Sequence, residues 1–391
     1  MAGQEAVIGA LGILIFSGII GRIFVRKTGI PDVFLLLLAG ACAGALLPAP
    51  TMEESKELLL PLGSIALLMI MLEEGLSLKL SELFSGAHKA FFIGSLSFLL
   101  SLLCAYLIGS FILGLTAQQS LLLGAVFSSV APEILAGFLM AARASASQVN
   151  IARVEGAFTE PLSVMLALLL ISGQGGLAFS SPSDAAYSLA AIALYSIALG
   201  GAFAFFWKVG ISKLEHENEH IAVIGLAALL YALCGRLGGN GVVSVFAFGF
   251  LIGNSPGVNT DEVRRFQAEM SFFMRTFFFV YLGALLFHSP AQLMVAFAAL
   301  ALSLCFAASR LTAGRALSAF EQSLRTDRAL FIVSGRGLTA AVLAVVAYGE
   351  LAHAGAPFPL DLPLLALFVI FFSNLISAYM ALAKRKAAPR Y

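Results

Sequence analysis

The chain has 391 residues, of which 60% are hydrophobic and only 12% charged, with 37 glycines. That balance excludes an ordinary soluble globular domain, and a formal net charge of +1 gives no general attraction to nucleic acid or to a charged surface. Apolar segments recur at close to the roughly 20 residues that a helix needs to cross about 30 Å of hydrocarbon.

In chain order, hydropathy and helix breakers predict thirteen spans: 5–25, 31–48, 58–78, 90–114, 117–141, 151–173, 185–208, 219–236, 239–254, 266–287, 291–311, 328–349 and 362–383. The fold class expected is an all-α integral membrane protein, since a β-barrel would show shorter segments alternating apolar and polar residues. The opening MAGQEAV lacks the basic region of a signal peptide, so the first span is expected to stay in the protein. After the last span only KRKAAPRY remains, which suggests one membrane transport domain over 1–391 without a soluble regulatory domain. The four cysteines, Cys42, Cys104, Cys234 and Cys305, lie in separate spans and suggest neither a zinc site nor a disulfide framework.

Cytoplasmic loops carry the lysine and arginine excess. An outer N-terminus and a cytoplasmic C-terminus put every Lys and Arg, Arg310 included, at the inner face except four. Lys56 and Arg236 then fall outside, and Arg275 and Arg336 lie within spans.

Ionisable side chains inside spans cost at least about 2.5 to 3.5 kcal/mol and usually face a cavity or a partner. Counting about 1.5 Å per residue from the inner ends, Glu160 and Arg275 come out near 14 Å deep, Glu133 and Arg336 near 12 Å, and Glu155 near 6 Å. Three glutamates against two arginines leave one negative charge, which one proton or one monovalent cation would neutralise. Glu155 with Arg336 is a candidate structural ion pair. Glu160 is the candidate titrating group, being deep and without a local partner. Glu73 and Glu74, in LEEGLSLKL, read as solvated interfacial residues, and Asn374, in FFSNLIS, as interhelical packing.

Two spans carry breakers at this depth. Pro132 should interrupt the fifth near Ser128, Ser129 and Val130, and Gly335 with Gly337 should weaken the twelfth around Arg336. Freed carbonyls at the midplane are the usual ion-coordinating parts of secondary transporters. An offset of seven spans is odd and therefore reverses direction, as inverted repeats require.

The succession GIPDVFLLLLAG, LGSIALLMIMLEEGLSLKL, SSVAPE, EGAFTEP, GNGVVSVFAFGFLIGN, FFFVYLG and SGRGLTAAVLA resembles the cation:proton antiporter superfamily, nearest its sodium/proton antiporter and sodium/hydrogen exchanger branch. Glu155 matches the glutamate of the branch's motif, Thr159 its asparagine and Glu160 its aspartate. Arg336 matches the arginine of the glycine-arginine-glycine segment, which pairs with the motif glutamate in that branch. The chain departs at the first broken helix, where Val130, Ala131 and Pro132 replace threonine-aspartate-proline and a carboxylate follows only at Glu133.

The resemblance implies a homodimer in the cell membrane, a mobile transport domain and an elevator-like motion. The implied activity is exchange of a monovalent cation, Na+ at Glu160, for H+, with no cofactor. Thr159, Glu155, Glu133, Ser129 and Val130 complete the ion-binding set, and Arg336 and Arg275 are its supporting charges. Exchange is expected to be electroneutral and one-for-one. Potassium/proton exchange and organic-anion symport on the same architecture stand as alternatives. A membrane enzyme is disfavoured, because His88, His216, His220, His288 and His353 all fall in or near loops.

Overall fold

In hydrocarbon every backbone N–H and C=O must be satisfied within its own segment, so each apolar segment folds as helix. The computed structural model describes residues 2–28, 32–46, 49–81, 87–173, 182–211, 219–255, 261–286, 292–320 and 329–387. Its helices are α1 (Ala2–Thr28), α2 (Val33–Leu46), α3 (Ala49–Ser77), α4 (Ala87–Leu107), α5 (Ala117–Phe127), α6 (Pro132–Ala141), α7 (Ala146–Gly173) and α8 (Pro182–Phe206). They continue with α9 (Glu219–Arg236), α10 (Gly241–Gly253), α11 (Asp261–Leu285), α12 (Gln292–Phe320), α13 (Ala329–Ile332), α14 (Leu338–His353) and α15 (Leu362–Ala387). Single π-helical turns at Ile108–Ile112 and Trp207–Ile211 extend α4 and α8.

Among the described residues eight helices are long and apolar enough to cross a membrane alone, and α5 and α6, bent by 51° at their break, pass the same test together. Four shorter apolar helices, at Gly12–Phe24, Val33–Ala45, Gly241–Gly253 and Leu338–His353, account for the other expected spans. The chain is a multi-pass membrane protein. Of the residues used above for orientation and for the enzyme alternative, Lys213, His216, His288, Arg325, Arg328 and Arg390 lie outside the described residues. The same holds for the side chains of Arg26, Lys27, Lys56, Arg385 and Lys386.

Packing follows the inverted repeat. Helix α3 packs along α10, and α2 along α11. These pairs join the third span to the ninth and the second to the tenth, and they exchange under a shift of seven spans. The pairs α4·α7 and α12·α15 exchange in the same way, while α4·α12 maps onto itself. Backbones approach closely in the first set: a Cβ on Gly249 would lie 2.8 Å from the Leu72 carbonyl oxygen. Small residues at such positions let helices meet where apolar lipid gives no hydrophobic drive for association.

Both anticipated breaks are present. The fifth span unwinds over Ser128–Ala131, where Pro132 occupies the first turn of α6 and its missing N–H costs no helical bond. The twelfth unwinds over residues 333–337, between α13 and α14. The two unwound segments cross: a Cβ on Gly337 would overlap the Ala131 methyl, so only glycine permits the contact.

Candidate functional site

Four half-helices end at the crossing, and α7 and α15 pack against it from either side. At the C-terminal end of α5, the Phe127 carbonyl accepts from Arg336 Nε at 2.6 Å. The guanidinium also donates to the Ser334 carbonyl at 3.2 Å, lies 3.5 Å from Ser101 Oγ, and covers the Phe306 ring at 4.5 Å. A fixed cation thus meets the negative end of a half-helix. Ser163, one turn beyond Glu160 on α7, donates to the Ala125 carbonyl and holds the same half-helix from the other side.

Glu160 is 2% exposed, and its carboxylate is hydrogen-bonded by Thr339 in the first turn of α14. The carboxylate therefore sits at the positive end of that half-helix. Among the described residues its Oε2 has no hydrogen-bond partner, and neither do Thr159 Oγ1 and Ser128 Oγ, all of them buried. Unpaired oxygens at this depth are costly unless something fills their coordination. Pro161 adds to the set: lacking an N–H, it leaves the Ala157 carbonyl without its helical donor beside Glu160. Ser129 and Val130 lie buried in the break, as expected.

Glu155 is fully buried and makes its ion pair with Arg310 of α12, through Arg310 Nη1 and Glu155 Oε1. The expected Glu155–Arg336 pair is thereby corrected, although Glu155 is near enough to Arg336 to act on it electrostatically. Arg310 also leaves the inner-face count. Its helix runs on to Phe320, beyond the boundary expected at residue 311, so Arg310 is buried inside the bundle with Nε donating to the Leu330 carbonyl at 3.1 Å.

The remaining charges line a cavity of about 460 Å³ bounded by Glu73, Glu74, Ser77, Leu78, Pro132, Glu133, Ala136, Met140, Arg153 and Ala157. It lies between the C-terminal part of α3, the length of α6 and the first half of α7, and it reaches Ala157, one turn short of Glu160. Arg275 Nη1 approaches Glu133 Oε1 at 3.9 Å, with the side chains 26% and 37% exposed. Glu133 therefore lines this vestibule, with Arg275 partly exposed beside it, rather than both lying in the buried layer expected for them. Glu74 also changes role, from interfacial residue to cavity wall, and with Glu133 it acts electrostatically on Glu160. Among the described residues no group of three or more His, Cys, Asp or Glu could hold a metal ion.

This arrangement coincides with a family match. The model described as "Sodium/hydrogen exchanger, transmembrane" matches residues 12–382. The chain belongs to this family. Among its exchanger relatives, the K(+)/H(+) antiporter NhaP2 of Shewanella sp. (strain MR-4) is 24% identical over 359 residues, covering 90% of this chain and 61% of that protein. This exchanger-family chain thus spans about three fifths of the length of such relatives. The Na(+)/H(+) antiporter 1 of Methanocaldococcus jannaschii is 27% identical over 292 residues, covering 71% and 68%. The fold is that of the solved sodium proton antiporter MjNhaP1 from the same organism, with a TM-score of 0.79 at 22% identity over 98% of this chain and 99% of that one.

Sequence reasoning placed Glu160 and Arg336 in one layer near the midplane, with Thr159 beside Glu160 and Glu155 about one turn below, and paired Glu155 with the wrong arginine. It missed Arg310, Thr339, Ser163 and Ser101. For Arg310 a signal existed, since apolar residues continue past it through ALSAF. The others are small hydroxyl residues whose position against a break only the packed helices reveal.

Proposed function

We propose that this chain is a secondary antiporter that exchanges a monovalent cation for H+ by alternating access at Glu160. The observation that carries the reading is the group of buried oxygens without a partner among the described residues, Glu160 Oε2, Thr159 Oγ1 and Ser128 Oγ, at the crossing of two broken helices. A dehydrated cation or a proton on the carboxylate satisfies that environment, whereas an empty ionised site carries uncompensated charge and crosses poorly. Competition for one carboxylate then enforces exchange.

In this reading Glu155 with Arg310 is a neutral structural pair, and Arg336 fixes the end of α5. Carbonyls of the Ser129–Val130 break complete the cation shell. The vestibule around Glu73, Glu74 and Glu133 is the cytoplasmic entrance, given an outer N-terminus and a cytoplasmic C-terminus. The protein works as a homodimer in the cell membrane, contributes to pH homeostasis and needs neither cofactor nor enzymatic step.

Na+ is the cation in the first reading, supported by the family's description and the Methanocaldococcus relative. K+ is the second, supported by the Shewanella relatives named K(+)/H(+) antiporters. The test is purified protein in proteoliposomes carrying an imposed pH gradient and an internal pH dye. Collapse of the gradient on adding Na+ but not K+ favours the first reading, and the reverse favours the second. No response to Na+, K+ or Li+ rejects both.

A further inference from the structure

The unwound segment 333–337 is held by one face of α15. The Ser334 N–H donates to Ser377 Oγ at 3.0 Å and the Arg336 N–H to Ser373 Oγ at 3.2 Å. The Arg336 carbonyl accepts from Asn374 Nδ2 at 2.9 Å. All three α15 side chains are fully buried. Three side chains thus supply backbone partners that helix geometry no longer provides, in a place where water cannot. The fit is close: a Cβ on Gly335 would stand 2.5 Å from Asn374 Oδ1.

The inverted repeat gives this face a counterpart. Thr159, Glu160 and Ser163 on α7 have the same spacing as Ser373, Asn374 and Ser377 on α15, and each helix packs against the broken helices of its own half. On α7 the third residue holds backbone, at the Ala125 carbonyl, and the middle one is a carboxylate; Glu160 Oε2, like Asn374 Oδ1, has no partner among the described residues. On α15 the middle residue is an amide, and it holds backbone itself.

We infer that Asn374 is a positioning residue for the exchange: the neutral counterpart of Glu160, it fixes the Arg336 backbone so that the guanidinium closes the Phe127 end of α5 and sets the cation affinity of the Glu160 site. The chain of contacts is short. Asn374 Nδ2 holds the Arg336 carbonyl, and the Arg336 side chain holds the last carbonyl of α5. The residues that follow, Ser128 to Val130, stand in the candidate cation shell. Asn374 also donates to the Ile370 carbonyl of its own helix at 2.8 Å, which fixes the amide's orientation. The effect on affinity rests on the antiporter reading above, whereas the hold on segment 333–337 does not.

The test uses Asn374→Leu, which keeps the number and branching of the side-chain heavy atoms and removes the donor, with two readouts. In proteoliposomes the apparent KM for the exchanged cation should rise about tenfold, the loss of one buried hydrogen bond, while the maximal rate per folded protein stays within about twofold. A residue needed only for folding would lower the yield of folded protein and leave both KM and the rate per folded protein unchanged, and an unchanged KM overturns the assignment. The second readout needs no transport. Ser334→Cys places a thiol in the unwound segment at a position 1% exposed. N-ethylmaleimide labelling of that residue, followed by mass spectrometry, should be slow beside Asn374 and fast in the Asn374→Leu background. Equal labelling in both backgrounds overturns the proposed hold. If the parent protein exchanges no cation at all, the antiporter reading fails and the labelling result alone decides whether Asn374 fixes the segment.

Discussion

Arg310 of α12 and Glu155 of α7 form an ion pair from which solvent is excluded on both sides, the side chains being 1% and 0% exposed. Removing one partner strands the other's charge, and the expected loss is about 3 to 5 kcal/mol for either Glu155→Gln or Arg310→Met. The double variant should lose clearly less than the sum of the singles. Melting curves in detergent check this, and additive losses would contradict the pairing. A parallel cycle between Glu155 and Arg336 should show weaker coupling, since no hydrogen bond joins them among the described residues.

The pair also changes the charge count. Three glutamates and two arginines suggested a single negative charge, but Arg310 joins the buried group and Glu74 acts on Glu160 from the vestibule. One-for-one exchange therefore rests on a single exchanging carboxylate rather than on net charge. The expected outcome is electroneutral transport, with rates in sealed proteoliposomes unchanged when potassium and valinomycin clamp different potentials and Na+ is the substrate. A systematic dependence on voltage would show that a second group, Glu74 being the nearest candidate, carries a proton.

Helix α7 approaches the first break through Gly156, where a Cβ would meet the Pro132 ring at 2.6 to 2.9 Å. Proline rings do not yield, so Gly156→Ala should push α7 away from the crossing. The expected cost is about 1 to 3 kcal/mol, together with slower exchange. Melting and initial-rate measurements check both. Gly137, where nothing stands within 4 Å of an added Cβ, is the control, and Gly137→Ala should be close to neutral.

Glu133 is partly solvated, and its contact with Arg275 is long at 3.9 Å. Such pairs are worth about 0.2 to 1 kcal/mol. Glu133→Gln should keep exchange and raise the cation KM by no more than a few-fold, the size of a vestibule charge rather than of a ligand. The increase should shrink as inert salt is added, because solvated charges are screened over about 8 Å at physiological ionic strength. Loss of exchange would place Glu133 in the cation shell.

Much of this architecture is legible in the chain because membrane physics acts locally. Apolar length sets the spans, Pro132 and the Gly335–Gly337 pair set the breaks, and depth along α7 separates Glu155 from Glu160. Choice of partner is not local. Whether Glu155 meets Arg336 or Arg310 depends on how far α12 continues, and the one hint in the sequence is the apolar run through ALSAF beyond the end expected at residue 311. Asn374 reads as packing because its role exists only once the α13–α14 backbone has unwound beside it. Glu74 reads as interfacial because the cavity that claims it is formed by α6 and α7, far away in sequence.

The central claim is that Glu160 is the carboxylate on which cation and proton compete. Cation-dependent collapse of a pH gradient by Glu160→Gln proteoliposomes tests it most directly, with folding verified by a melting transition in detergent. A neutral isostere can neither release a proton nor balance a cation, so exchange should fall to the level of protein-free liposomes while the protein stays folded. Exchange at the parental rate in that variant would contradict the account.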